Sequence, residues 1–136
     1  MGYGSGDLMS GGVTPRRILV ADDNRDAADS LVTLLRLCGH EASVAYNGFD
    51  ALELARRTTP EIVFLDIAMP GLNGYELARR LRAQSNGTPV TLIALTGFGQ
   101  DEDKRLASES GFDHHLTKPV DPAVLESLIA KMCAAR

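Results

Sequence analysis

At 136 residues the chain is long enough to bury one real core and too short for two. Hydrophobic residues make up 44% and charged residues 24%, the balance of an ordinary soluble domain, and a net charge of −4 without any Lys/Arg cluster argues against a nucleic-acid surface. No stretch approaches the length of a membrane span, and the N-terminus lacks the basic and apolar regions of a secretory signal, so a cytoplasmic protein is expected.

Residues 1–15, MGYGSGDLMSGGVTP, hold five glycines and no usable periodicity; they read as a flexible tail or linker ahead of a domain at 16–136. Ile18-Leu19-Val20 is a short apolar strand. Ala27, Leu31, Leu34, Leu35 and Cys38 follow at helical spacing, with Gly39 as the stop. Cys38 and Cys133 both occupy apolar helical positions and read as reduced, buried thiols. Ala42, Val44 and Tyr46 alternate as in a half-exposed strand, and a short helix runs from about Phe49 to Arg57. The run Ile62 to Leu65 suits a strand buried on both faces and ends abruptly in Asp66. Asn73 and Glu76 form a capping-box pattern that opens a helix through Leu81. Val90 to Thr96 makes a fourth strand, and residues 101–110 form a polar helix anchored by Leu106 and Ala107. HHLT, residues 114–117, is a short fifth strand. Asp121-Pro122 caps a last helix, with Val120 and Leu125 as a hydrophobic staple and Leu128, Ile129 and Met132 continuing its apolar face.

Strands joined by helices imply a parallel sheet covered on both sides. Strands one, three and four are continuous apolar runs and belong inside; strand two alternates and strand five is short and polar, so these are edges. The order 2-1-3-4-5 follows, an α/β flavodoxin-like doubly wound fold with five strands. Ligands in such sheets bind beyond the carboxyl ends of the strands, where strand order reverses, here between strands one and three.

That crevice receives Asp22-Asp23 from the end of strand one and Asp66 from the end of strand three. Taken singly, Asp23 or Asn24 could merely cap the first helix, and Asp66 could begin a turn. Together, three carboxylates repel one another, which raises their pKa values or demands a cation. Oxygen ligands without His or Cys suit Mg²⁺. Strand four contributes Thr96-Gly97, a hydroxyl and a backbone amide, and strand five contributes Lys118-Pro119. Carboxylates with a metal, a hydroxyl, an amide and an ammonium suit a phosphoryl group, with one carboxylate available as nucleophile.

In these residues the chain resembles the receiver domains of the response-regulator family from two-component signalling, over about Arg16 to Met132. The resemblance implies that Asp66 is the phosphoacceptor. It implies that Asp23, Asp66 and the carbonyl of Ala68 ligate Mg²⁺ directly, with Asp22 acting through water. Lys118 would neutralise the phosphoryl group, Gly97 would offer its amide, and Thr96 would bind a phosphoryl oxygen and move inward as the switch. Lys118-Pro119 would be a cis peptide. The phosphodonor would be a phosphohistidine on a histidine kinase or histidine phosphotransfer domain. Switching would fall on the face made by the helix at 101–110, the fifth strand and the last helix, a face that leaves room for a weak homodimer. GFGQDEDKR and GFDHHLTKPVD are most similar to receivers associated with hybrid sensory histidine kinases; the chain would be a single-domain regulator or a receiver from such a kinase.

Two departures stand out. Where receivers often carry Tyr or Phe three positions before the lysine, this chain has His115, either a space-filling edge residue or a switch partner. Two positions beyond Asp66 and Thr96 stand Ala68 and Phe98, neither able to orient an attacking water. Two other classes of function share parts of this pattern. A haloacid-dehalogenase-like phosphohydrolase needs a second Asp where Ala68 stands, and a flavin-binding flavodoxin needs a hydroxyl- and glycine-rich phosphate loop where ADDN would repel phosphate.

Overall fold

The computed structural model describes residues 15–69, 72, 74–85, 89–97 and 111–134, with side chains to residue 131. The expected tail at 1–15, except Pro15, and the polar helix at 101–110 lie outside the described residues, as do Asn73, Phe98 and the side chains of Met132 and Cys133.

Among the described residues nine elements follow in chain order: β1 (Arg17–Ala21), α1 (Arg25–Leu37), β2 (Glu41–Ala45), α2 (Gly48–Thr58), β3 (Ile62–Asp66), α3 (Gly74–Gln84), β4 (Thr91–Thr96), β5 (His114–Thr117) and α4 (Pro122–Ala134). The strands form one sheet of order β2-β1-β3-β4-β5, and every pairing is parallel. This is the expected flavodoxin-like arrangement. Parallel neighbours cannot be joined by tight turns, so each connection crosses over, and the helices bury both faces.

Alternation along each strand then divides the core in two. Leu19, Ala21, Val63, Leu65, Leu92 and Ala94 point to the side covered by α2 and α3. Ile18, Val20, Ile62, Phe64, Ile93 and Leu95 point to the side covered by α1 and α4. Every residue of β3 is buried, Asp66 included. α2 buries Ala51 and Ala55 in the core on its side of the sheet, and its first residue, Gly48, packs closely against Leu72.

Caps fix where the helices begin. Asn24 Oδ1 accepts the N–H of Ala27 at 3.0 Å and starts α1. Asn47 does the same for α2 through Asp50 N–H at 2.8 Å. Asp121 accepts the N–H of Ala123 at 2.9 Å, and Val120 and Leu125 meet in one cluster, as the staple pattern anticipates. α2 ends on Thr59 in the left-handed region at φ 44°, where the guanidinium of Arg17 holds its carbonyl at 3.0 Å.

Two expectations need correction. The buried face of α1 is Ala28, Leu31, Val32 and Leu35; Ala27 and Leu34 are only half-buried, so the face is rotated from the expected one. Cys38 is a half-buried free thiol at the C-cap and not a core residue. In β2 the expected alternation holds: Ala42 and Val44, with Tyr46 just beyond the strand, pack on one core while Ala45 turns to the other.

At the N-terminal end of the sheet, His40 is buried and its Nδ1 accepts the N–H of Arg16 at 3.1 Å, which places the imidazole proton on Nε2. Burial pushes its pKa below the ordinary histidine value; the Arg16 charge adds to this and Glu61 opposes it. A histidine whose folded pKa is depressed stabilises the fold fully above its unfolded pKa and loses that contribution as pH falls through that value toward the folded one. Thermal stability should therefore drop on acidification below about pH 6.5. His40→Gln, which keeps an acceptor for Arg16 N–H but cannot titrate, should flatten that part of the profile in melts from pH 7 to 5.

Candidate functional site

β1 and β3 are neighbours at the centre of the sheet and end level with one another, Ala21 opposite Leu65. The residues that follow are therefore delivered to one crevice. Ligand oxygens of Asp22, Asp23 and Asp66 lie within 4.8 Å of one another; Asp22 and Asp66 are buried and Asp23 is exposed. All three expected acids meet.

Each buried acid is held in the same way. Asp22 Oδ1 accepts the N–H of Asn24 at 3.0 Å, and Asp66 Oδ1 accepts the N–H of Ala68 at 3.0 Å. These are Asx turns, in which a carboxylate fastens its own loop two residues on. The second oxygens face Lys118, whose Nζ stands 3.1 Å from Asp22 Oδ2 and 3.4 Å from Asp66 Oδ2. The backbone supports this geometry: Asp22 N–H donates to Ala45 at 3.1 Å and Lys118 N–H to Thr96 at 2.8 Å. Lys118-Pro119 is a cis peptide.

The electrostatics follow from burial and charge. Burial pushes the Asp66 carboxyl above the ordinary aspartate range and Asp22 pushes it further, while the Ala68 N–H and the Lys118 charge pull it back. Burial alone would lower Lys118, but the charges of Asp66 and Asp22 outweigh it and hold the ammonium above its ordinary value. Crowded hard oxygens with lone pairs left over fit a divalent cation of the Mg²⁺ type.

The remaining expected residues are placed less uniformly. Ala68 follows Asp66 directly at the rim and is exposed. Thr96 is fully buried at the end of β4, but its hydroxyl is directed to the carbonyl of Leu116 on β5 at 3.4 Å. Gly97 is exposed next to it. His115 does not join the acids; it is exposed on edge strand β5, opposite Ala94.

Two features have no part in the sequence reading. Gly74 opens α3 so tightly against the site that a Cβ there would lie 2.5 Å from Ile67 Cα and 2.9 Å from the Asp66 carbonyl. Beside the acids, the phenol of Tyr46 donates to Asp29 Oδ1 at 2.5 Å, and the Arg25 guanidinium lies 4.1 Å from the ring centroid. The helical spacing of Arg25 and Asp29 was visible, but their meeting with Tyr46 depends on the β1–β2 pairing.

A family model described as the response regulator receiver domain matches residues 18–130. A 14.6 kDa protein from the sodA1 3′ region of Leptolyngbya boryana is 42% identical over 118 residues, 87% of this chain and 90% of that protein. Protein PilH of Pseudomonas aeruginosa is 36% identical over 118 residues, covering 87% and 98% of the two chains. Among solved structures, the receiver domain of sensor histidine kinase PA1611 from Pseudomonas aeruginosa, with magnesium in its active-site cleft, superposes with TM-score 0.79 at 28% identity over 89% of this chain and 99% of that one. A chain in the co-crystal structure of the Saccharomyces cerevisiae phosphotransfer protein Ypd1 with the receiver domain of Ssk1 gives TM-score 0.81 at 29% identity, covering 90% and 91%.

Gly74→Ala should force the Asp66–Ile67 backbone to move. Overpacking of this kind costs about 1–3 kcal/mol, so a fall of several degrees in Tm is expected. Because the strain falls on the chain that carries Asp66, the variant should also change the amide NMR signals of Asp66 to Ala68; unchanged signals and Tm would count against the close approach.

Proposed function

Because this chain belongs to the response regulator receiver domain family, we propose that it takes a phosphoryl group from a phosphohistidine onto Asp66. The observation that carries this reading is the placement of Lys118 between two buried carboxylates, within reach of both, beside a third acid. Receiver domains are signalling domains, so the reaction is a step in a relay and not turnover of a metabolite.

In the proposed step an Asp66 carboxylate oxygen attacks the phosphorus; a P–O bond forms, the P–N bond breaks, and the electron pair returns to the imidazole, which takes up a proton. Asp66 is suited to this because Ala68 N–H holds one of its oxygens in place. Asp23, Asp66 and the Ala68 carbonyl would hold Mg²⁺ directly, and Asp22 through water. Bound there, the ion would supply positive charge to the phosphoryl oxygens. Lys118 would neutralise an incoming phosphoryl oxygen as it gives up its contact with Asp66. The Gly97 amide and the Thr96 hydroxyl would receive the others, Thr96 exchanging a long bond to Leu116 for a shorter, charge-assisted one. That exchange would alter the contact between β4 and β5, and so the face formed by 101–110, β5 and α4, with His115 as the exposed partner of the change. A weak homodimer through this face belongs to the same reading.

The phosphohistidine donor, a kinase or phosphotransfer domain, would approach along α1. A groove of about 1050 Å³ runs from Asp22 and Lys118 past Leu34 and Leu37 to Val120 and Pro122. Leu37, which lines it, is a large apolar side chain left exposed, suited to a helix-docking surface with its polar end at the chemistry. The complex of Ypd1 with the Ssk1 receiver domain offers a precedent for the partner class.

Incubation with Mg²⁺ and acetyl phosphate should add one phosphoryl group by intact mass, and Asp66→Ala should abolish it. An acid-labile adduct of full yield on Asp66→Ala would overturn the assignment.

Hydrolysis of the acyl phosphate requires a water held in line with phosphorus. Ala68 offers only a methyl group there, and the sequence places Phe98 at the other flanking position. The phosphorylated state should therefore decay slowly. Ala68→Asn combined with Phe98→Glu should supply orienting groups and speed the loss on the order of tenfold, measured as phosphoryl decay at fixed Mg²⁺. Equal or slower decay would mean that the side chains at these positions do not govern the water.

A further inference from the structure

We infer that Tyr46 is a positioning residue that keeps the Arg25 guanidinium off Asp23 and so leaves that carboxylate free for a divalent cation. The inference rests on the proposed role of Asp23 as a metal ligand. Arg25 stands two residues after Asp23 in the loop that enters α1, and both are exposed. A guanidinium on a long flexible stem, so close to a carboxylate in a turn, is the natural competitor for a metal at that acid. Yet among the described residues Asp23 takes part in no ion pair. Arg25 lies instead over the Tyr46 ring, 4.1 Å from its centroid.

The ring is itself held. Its hydroxyl donates to Asp29 Oδ1 at 2.5 Å, one turn along α1 from Arg25. The backbone behind it is fixed by the bond from Asp22 N–H to the carbonyl of Ala45, the residue before Tyr46. The residue after β2 thus presents an aromatic face on which Arg25 rests. Cation–π attraction and the nearby Asp29 charge favour that resting place. In this reading Tyr46 acts through Arg25.

The test is a double-mutant cycle on Mg²⁺ affinity in the full chain, read from ¹⁵N–¹H shifts during titration, with melts in the absence of metal as the control for folding. Tyr46→Ala should weaken Mg²⁺ binding about threefold, the scale of an exposed ion pair gained by a competitor. Tyr46→Phe keeps the ring but loses its bond to Asp29 and should bind between wild type and Tyr46→Ala. Arg25→Ala removes a positive charge near the metal and should strengthen binding slightly in either background. The inference requires that its gain be about threefold larger in the Tyr46→Ala background. A purely structural role for Tyr46 would lower Tm and leave the two gains equal, and equal gains overturn the inference. Wild-type protein without any Mg²⁺ response would overturn the metal reading and this inference together; a wild-type response without coupling overturns this inference alone.

Discussion

The contact of Lys118 with Asp22 and Asp66 is the constraint around which the active end of the sheet is arranged. Burying one carboxylate costs several kcal/mol unless it is paired, and burying two side by side costs more. Here two backbone N–H groups and one ammonium share the compensation. It is incomplete. When ionised, three acids against one lysine leave two negative charges uncompensated, which is the charge of one divalent cation. Burial raises the Asp66 carboxyl above the ordinary aspartate range and Asp22 adds to this, while the Ala68 N–H and the Lys118 charge offset it only in part.

Topology makes that crowding unavoidable. β1 and β3 are adjacent and parallel, so their carboxyl ends emerge together; β4 follows β3 directly and β5 follows β4. Acids, hydroxyl and lysine, spread from residue 22 to residue 118, become neighbours without any long-range side-chain recognition. The helices then decide how firmly the site is held. Gly74 lets α3 begin against the backbone that follows Asp66, and Asn24 both caps α1 and ties Asp22.

Features legible in the sequence were those whose signal is local. Apolar runs ending in acids marked β1 and β3, and their positions in the sheet followed from burial on both faces. Features that depend on how a side chain turns once the chain is packed were not legible. Helical spacing along α1 suggested a face with Ala27 and Leu34, and packing against the sheet turned Ala28 and Val32 inward while leaving those two half-buried. The residue type of Thr96 revealed a hydroxyl at the site but not its direction toward Leu116. Tyr46 read as the last residue of an alternating strand, because nothing along the chain announces that Arg25 and Asp29 will enclose it.

The two ends of the sheet treat charge in opposite ways. At the amino end, Arg16 and Arg17 lie 3.7 Å from Glu61 and His40 accepts a backbone N–H in its neutral form. Glu61 Oε1 is buried without a hydrogen bond there, so this end carries a small unresolved cost, but opposite charges are matched and partly open to solvent. Such pairs contribute little to stability, and they set up no strong field. At the carboxyl end like charges are pressed together and shielded from water. A fold selected for stability alone would do better with apolar residues in place of Asp22 and Asp66, since buried ion pairs are often matched or surpassed by packed hydrophobic side chains. Keeping the frustrated charge at one end only concentrates the electrostatic strain where the proposed divalent cation would relieve it, and leaves the cores on either side of the sheet to hold the fold.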